Sequence, residues 1–600
     1  MAWLSKMHIL LSPLWGRRFL LLTAALTGAS FLIGCKPSVD STQVAVCKPA
    51  LRMLNHWDNP DGTIERGYAG RSIFWGRGYI DTLSIQQYGL RNEAIGINGT
   101  VLNNVNASPR MLTEAYLDTT VIYANLLRPF GIKVFLSVNF ASPMALKATT
   151  TADPLDDDVQ QWWKDKADEI YRRIPDFGGF LVKANSEGQP GPCDYHRTHA
   201  EGANMLAKAL APYNGIVIWR SFVYSPSDPD RAKQAYIEFA KLDGQFDDNV
   251  IVQIKNGPID FQPREPISPL FFAMPHTRLM AELQITQEYL GHSNHIAFLA
   301  PMWTEFLQEY WAGSHGMPHN LAGLAGVSNI GTLGCGNTLA EANWFAFGRL
   351  ASDPSLSADA IAEEWVNGEF QKLNGKGKNV LIRLLLMSRE AVVDYMMPLG
   401  LHHLFAWGHH YGPEPWCNIP GARPDWMPSY YHKADNIGLG FDRTAATGSA
   451  ATMQYPDSMA KEYECLDSCP EKYVLWFHHV KWNYQRTWEC CDTAETLWQH
   501  LGRHYEHGVQ QVIEMLRQWQ SLKGQLPDGL WQDINRRLET QYKDAVWWHD
   551  SCLLYFQSIN GLSWPSTAAK PIYTLQQLKK IKLGITNFEC PSPALLDAAR

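Results

Sequence analysis

The 600-residue chain is 46% hydrophobic and 19% charged, with a net charge of -8 and no long run of one sign. That balance belongs to a folded globular protein, not a disordered one, and argues against nucleic acid as the main partner. Trp, Tyr and Phe number 23, 24 and 24; either the core is rich in aromatics or a cleft uses Trp faces to stack on sugar rings.

Arg17 and Arg18 precede the apolar run FLLLTAALTGASFLIG, which ends at Cys35. The run is short and rich in small residues for a membrane span. Leu32-Ile33-Gly34-Cys35 resembles the bacterial lipobox, where the Cys is lipidated; a plain signal peptide or a single anchor helix is the alternative. Either predicts an exported protein, membrane-anchored or periplasmic, touching the membrane only through this anchor. Residues 36–49 read as a linker. The eleven cysteines lack the paired CxxC spacing of a zinc site. Export would permit one or two disulfides, whose pairing the sequence does not give.

Between residues 50 and 374, strand-like runs alternate with helical stretches. The strand candidates are 52–57, 93–99, 133–140, 178–184, 215–220, 249–255, a segment within 270–285 (LFFAM or ELQI), 295–300 and 327–331. Helical patterns such as DVQQWWKDKADEIYRRI lie between them. Eight β–α alternations predict a (β/α)8 TIM barrel of the α/β class, with the seventh and eighth strands ambiguous. From 375 to 600 long helical periods dominate, predicting a mostly helical C-terminal domain. The Gly/Pro/His/Trp-rich loop 400–445 is placed to reach back over the barrel.

Barrel enzymes carry their chemistry just after strand C-termini. There the sequence places Glu187, Asp260 and Glu288, three carboxylates after three different strands. Glycoside hydrolysis needs one carboxylic acid to protonate the leaving oxygen and a second carboxylate to activate water or attack the sugar. Lys183, Arg220 and Lys255 end strands beside them. Buried cations need anions. They could serve only to neutralise the carboxylates, or they could clamp a carboxylate on the substrate, which points to a uronic acid.

The stretches RMLNHWDNPDGTIERGYAGRSIFW (52–75), GINGTVLNNVNASP (96–109), GFLVKANSEGQPGP (179–192), KNGPIDFQPREP (255–266), ELQITQEYLG (282–291) and EANWFAFGRLASDPSLSADAIAEEW (341–365) resemble the α-glucuronidases of glycoside hydrolase family 67. So do GLHHLFAWGHHYGPEPW, YYHKAD, GFDRT and LWFHHV in the helical part. The resemblance implies an inverting enzyme that removes glucuronic acid, or its 4-O-methyl form, from the α-1,2 linkage on xylooligosaccharides. It implies that Glu187 is the general acid, that Asp260 and Glu288 form the base side, and that Lys183, Arg220 and Lys255 clamp the uronate. Val101 and the neighbouring asparagines, Asn103 among them, would line the pocket near the sugar's C4 substituent, and Trp57 would offer a stacking platform. No metal or other cofactor is expected. The His pairs at 402–403, 409–410 and 478–479 would bind sugar hydroxyls or order the loop. A homodimer through the helical domain is implied as well.

Inversion requires acid and base carboxyls about 6.5–9.5 Å apart, and a general acid working near neutral pH calls for a raised pKa on Glu187. Family members usually carry a domain upstream of the barrel. Here a targeting segment stands in that place, which puts stability and assembly in question. The stretch 326–344 looks shorter than its family counterpart, and the tail after 565 resembles nothing in the family. Another α-linked uronide is an alternative substrate. A carbohydrate-binding surface lipoprotein without turnover is the alternative class, which retention of three carboxylates disfavours.

Overall fold

The computed structural model describes residues 49–600 except 223–227, 287, 312–319, 490 and 587–589. The targeting segment and nearly all of the linker lie outside the described residues. Among the described residues no helix is long and apolar enough to cross a membrane.

Eight parallel strands close into a barrel in sequential order. They are β1 (Leu51–Asn55), β2 (Gly99–Val101), β3 (Lys133–Ser137), β4 (Gly179–Val182), β5 (Ile216–Arg220), β6 (Val250–Lys255), β7 (Leu279–Gln284) and β8 (Leu321–Val327). β8 pairs with β1 to complete the ring. The expected (β/α)8 barrel followed by helices is present. Runs such as IVIWR and VIVQIK read as strands because both their faces are buried, one in the barrel and one under helices. Gly179 opens β4 at φ +137°, where a Cβ would meet the Ile216 carbonyl oxygen at 1.9 Å, so that start admits only glycine.

The helices around the strands are α1 (Thr82–Ala94), α2 (Glu114–Leu127), α3 (Asp157–Arg173), α4 (His199–Leu210), α5 (Arg231–Phe239), α6 (Ala300–Trp311) and α7 (Glu341–Ser352). α3 shows the logic. Asp156 caps it by accepting from the amides of Asp158 and Val159, and Val159, Trp163, Ala167 and Ile170 form the stripe it buries.

Three strand readings need correction. The run 93–99 holds the last turn of α1 and its C-terminal cap, where the Gly96 and Ile97 amides donate back to Glu93 and Asn92, and β2 begins only at Gly99; Ile95 and Ile97 are apolar because they are buried beneath the barrel, not because they form a strand. The run 295–300 is not a strand; it is a buried connection into α6. Its amides go to side chains of the helical part, Ile296 to Gln541 and Phe298 to Ser388. A short apolar run looks the same to periodicity whether it is strand or buried loop. The last strand is Leu321–Val327, ending where the candidate at 327–331 begins, and LFFA at 270–273 is a helical turn while ELQ lies in β7.

After α8 (Ala358–Glu369), three long helices pack together: α9 (Gly375–Met396), α10 (Leu497–Gln520) and α11 (Asp528–Asn560). Short helices, 3-10 turns and two-residue strands fill the chain between α9 and α10. Among the described residues, Cys193, Cys335, Cys417, Cys465, Cys469, Cys552 and Cys590 are free thiols.

Candidate active site

The polar interior of the barrel follows from a period of two on the last strands. Gln253 and Lys255 alternate with apolar residues on β6, as Glu282 and Gln284 do on β7. Asn55 on β1 donates to Gln253 across the barrel at 3.1 Å, so this face points inward.

On β4, Lys183 follows the strand and donates to Asn106 Oδ1 at 2.8 Å and to the Glu187 carboxylate. Glu187 sits on a tight turn with φ +48°, and Asn185 beside it has φ +50°. Asn185 holds that turn by donating to Asp194 at 2.9 Å and accepting from the Cys193 amide at 3.0 Å. A left-handed Glu is unusual and is the kind of local strain that clusters at functional sites. The Glu187 side chain is 38% exposed, open to the barrel mouth, whereas Lys183 beneath it is 2% exposed. Burial among protein groups pushes the Glu187 carboxyl up, but Lys183, with Lys255 and Arg231 behind it, outweighs that and holds it below its ordinary value. The raised value expected for a resting general acid is therefore not present in the free site.

On the base side, Lys255 reaches Asp260 Oδ1 at 2.6 Å and Tyr289 donates its hydroxyl to Asp260 Oδ2 at 2.7 Å. Against the cost of burial, Lys255, Tyr289 and the Phe261 amide hold Asp260 far below the carboxylate range. Glu288 is 4% exposed. It accepts from His410 Nδ1 at 2.8 Å and faces Arg66 at 3.3 Å. Burial opposes its charge, but Arg66 and His410 win, and its carboxyl is lowered too. Asp260 is among the charges felt by Glu288, so the two lie in one electrostatic neighbourhood. All three predicted carboxylates thus stand ionised at the C-terminal mouth of the barrel, each with a cation.

The predicted clamp is already partnered. Arg220 is 2% exposed and closes a fork on Glu282, with Nε at 3.0 Å from both carboxylate oxygens and Nη2 at 2.9 Å from one. Lys255 lies 3.6 Å from the centroid of the Phe222 ring, and Arg220, Arg231 and Lys183 surround the same ring at 5.4, 5.1 and 5.9 Å. A recess lined by Phe222, Arg231, Lys255, Pro258 and Glu282 opens there.

Trp57, 7% exposed, lies under Arg220, whose guanidinium carbon is 5.7 Å from its ring. Val101 and Asn103 are 0% and 1% exposed. Asn103 spends its amide on the Ser137 backbone, accepting at 2.9 Å and donating at 3.0 Å. It joins β2 to β3 from below the cleft surface. Its neighbour Asn106, not singled out in the sequence, is the asparagine that reaches Lys183. Asn106 and Asn104 both donate to Glu65 at 2.8 Å.

The loop 400–415 does cross to the barrel mouth. His410 holds Glu288, and His403 Nδ1 lies 3.1 Å from Gln262 Nε2. Burial drives His402 and His403 well below their ordinary values, so both are neutral. Glu265 ties down the Asp260 loop by accepting from the amides of Ile259 and Asp260 at 2.9 Å and Gln262 at 3.2 Å. Sequence reading missed Glu282, Arg66, Tyr289 and Glu265. Tyr289 and Glu282 carried a signal, since both lie within the ELQITQEY segment already under scrutiny.

Two family models match this chain, the glycosyl hydrolase family 67 middle domain over residues 36–333 and the glycosyl hydrolase family 67 C-terminus over residues 335–569. A protein of Aspergillus flavus named probable alpha-glucuronidase A is 40% identical over 540 residues, covering 86% of this chain and 63% of the relative. Its namesake from Aspergillus niger is 37% identical over 572 residues, covering 92% of this chain and 66% of the relative. The chain therefore spans a little under two thirds of the length of the first of these. Among solved structures, a chitobiase of Flavobacterium johnsoniae superposes with a TM-score of 0.33 at 9% identity, over 92% of this chain and 78% of that one; so loose a likeness bears on nothing further. The two models together run through the barrel and the helical region: the chain belongs to glycosyl hydrolase family 67.

Proposed function

We propose that the protein is an inverting α-glucuronidase that releases glucuronic acid, or 4-O-methylglucuronic acid, from the α-1,2 linkage on xylooligosaccharides. The observation that carries this reading is the pairing of each candidate catalytic carboxylate with its own cation at one barrel mouth, with Lys183 shared between Glu187 and Asn106. Relatives named alpha-glucuronidase support it.

The pairing suggests how an acid becomes protonated. In the free site Lys183 keeps Glu187 ionised. A substrate uronate arriving at Lys183 takes over that ion pair, and Glu187 loses its main counter-charge beside a second anion. Both changes raise its carboxyl and favour proton uptake. Glu187 then donates that proton to the glycosidic oxygen. Asp260 and Glu288, still held ionised, orient and deprotonate a water on the opposite face of the sugar. A neutral sugar does not displace Lys183, so the acid is armed only by an acidic substrate. The segment 17–35 supports export as part of the same reading, and family resemblance supports pairing with a second copy.

The test is to incubate the full chain with aldouronic acids and follow the released uronic acid by NMR. The β-anomer is expected first, with kcat reduced by about 10²–10⁴-fold in Glu187→Ala. Early α-anomer would make the mechanism retaining and remove the acid–base assignment. No release by a folded protein that still binds the oligosaccharide would favour a carbohydrate-binding lipoprotein.

A further inference from the structure

A second cluster of ligating side chains lies in the helical part, apart from the barrel mouth. His500 and His504 stand four residues apart on α10 and so share one face. Opposite them is Glu471, on a 3-10 turn at Glu471–Tyr473. His500 Nε2 lies 2.8 Å and His504 Nε2 3.3 Å from Glu471 Oε1, and the two Nε2 atoms are 3.1 Å apart. A tetrahedral zinc-type ion with bonds near 2.0–2.1 Å sets its nitrogen and oxygen ligands ~3.3 Å apart, so the triangle has nearly the size such an ion requires.

The hydrogen bonds behind the imidazoles fix which nitrogens face the triangle. His500 Nδ1 lies 2.8 Å from Glu495 Oε1, and His504 Nδ1 lies 2.8 Å from Asp394 Oδ1. A carboxylate accepts only, so each Nδ1 carries a proton and each Nε2 faces the triangle. In the metal-free cluster, against the cost of burial, Asp394 and Glu471 push the His504 ring up to about 9, so a proton on its Nε2 holds the three atoms together; an ion entering the triangle displaces that proton and takes the three lone pairs. Histidines oriented by carboxylates in this way are the usual surroundings of a bound metal. The orienters are themselves held: Arg503 grips Glu495 with two contacts of 2.9 Å, His507 reaches Asp394 at 2.7 Å, and the Glu489 amide fixes the other oxygen of Glu471 at 2.6 Å. Trp488 stacks on His500 at 4.4 Å and fixes its plane. His500 is 0% exposed, whereas the His504 side chain is 21% exposed and is the edge of the cluster nearest solvent.

The cluster of Cys193, His199 and Glu238 makes the contrast. There the Trp219 indole, which can only donate, points at His199 Nδ1 at 3.2 Å. His199 Nε2 must therefore carry the proton it gives Glu238 at 2.8 Å, and no lone pair is left for an ion.

We propose that Glu471, His500 and His504 bind one divalent ion of the zinc class, pinning the first turns of α10 to the Glu471 turn. Two imidazoles and one carboxylate suit Zn²⁺ or Co²⁺ better than Mg²⁺ or Ca²⁺. The ion is structural. It braces the segment whose next residues include Trp476, packed edge-on against His402 at 5.0 Å.

The test uses the untagged full chain, stripped by dialysis and then titrated with Zn²⁺ alone and with Co²⁺ alone. Variants are His504→Gln, Glu471→Gln and, as a control away from the triangle, His507→Gln. One equivalent of either metal is expected, with visible ligand-field absorption from Co²⁺ and a Tm raised by several degrees. His504→Gln and Glu471→Gln should each weaken binding by at least about tenfold, with His507→Gln affected less. The wild-type titration stands even where a variant fails to fold. No stoichiometric binding by the folded wild type would overturn the proposal and leave a hydrogen-bonded His–carboxylate cluster. Binding untouched by His504→Gln would also overturn it, and would move the ion to the Nδ1 side of His500, where Cys491 lies 3.1 Å from Glu495.

Discussion

Tyr289 shows how much of the base side hangs on one hydroxyl. It follows Glu288 in sequence yet serves Asp260, donating at 2.7 Å, while its ring is stacked on Phe405 and His410 at 4.8 and 5.6 Å. The ring is held whether or not the hydroxyl is there, so Tyr289→Phe removes the hydrogen bond with little repacking. A bond to a charged group is worth about 1.5–3 kcal/mol, and kcat/KM should fall by about 10- to 100-fold. The sign of the pH effect follows from what the hydroxyl does. It is one of the donors holding Asp260 low, so its loss raises the Asp260 carboxyl. A base must be ionised, and the acidic limb of the rate profile should therefore move to higher pH. An acidic limb that stayed put while activity fell would detach Asp260 from the base role. The three carboxylates were legible because barrel chemistry sits at strand ends. The partner of Arg220 was not, since Glu282 meets it from β7, across β6, and no spacing in the sequence encodes a contact between strands that are not neighbours.

At the scale of elements, the loop from Gly257 to Glu265 places Asp260 by a single staple. Glu265 has no exposed side-chain surface and takes three backbone amides from the turn that bears Asp260. Burial pushes its carboxyl up to about 8, with the amides pulling the other way and the Asp260 charge adding to the rise. Glu265→Ala leaves three amides without an acceptor and the turn free to shift. A displacement of about 1 Å at a catalytic group can cost around 10²-fold, so kcat should drop by that order while KM changes little. Unaltered kcat in a folded Glu265→Ala protein would show that the turn holds its shape unaided. This element also marks where sequence reading stops. Repeated β–α alternation gave the barrel, because burial on both faces writes a dense apolar run for each strand. It misjudged 295–300 because that run is equally apolar for another reason, being packed beneath α9 and α11. It saw the His-rich loop as a cover for the barrel but passed over the His500–His504 pair on α10, whose spacing is that of any helix face until Glu471 is brought opposite.

At the scale of the molecule, the segment after residue 565 closes onto the same machinery. Helix α12 (Pro593–Ala599) leads to Arg600, which pairs with Asp544 on α11; their side chains are 5% and 0% exposed. Asp544 also accepts from Tyr411 at 2.6 Å and faces His295 Nε2 at 2.8 Å. Tyr411 follows His410, which holds Glu288, so the tail, the bundle, the crossing loop and the base carboxylate form one connected series. Arg600→Ala leaves a buried carboxylate without its cation, a change that costs about 3–5 kcal/mol in other proteins. Tyr411 and His295 remain, which places the expected loss near the low end, with Tm down by several degrees at neutral pH. The pH dependence separates lost charge from lost packing. Burial raises the Asp544 carboxyl, but Arg600 and His295 overcome it and its native pKa is lowered. A lowered carboxylate contributes stability that is present above its unfolded value of about 3.9 and is lost as pH falls below it. The Tm gap between wild type and Arg600→Ala should be constant above about pH 5 and should close on further acidification. A gap that persisted at low pH would mean that Arg600 acts through its packing on Trp547, whose ring lies 5.9 Å from the guanidinium, and not through its charge.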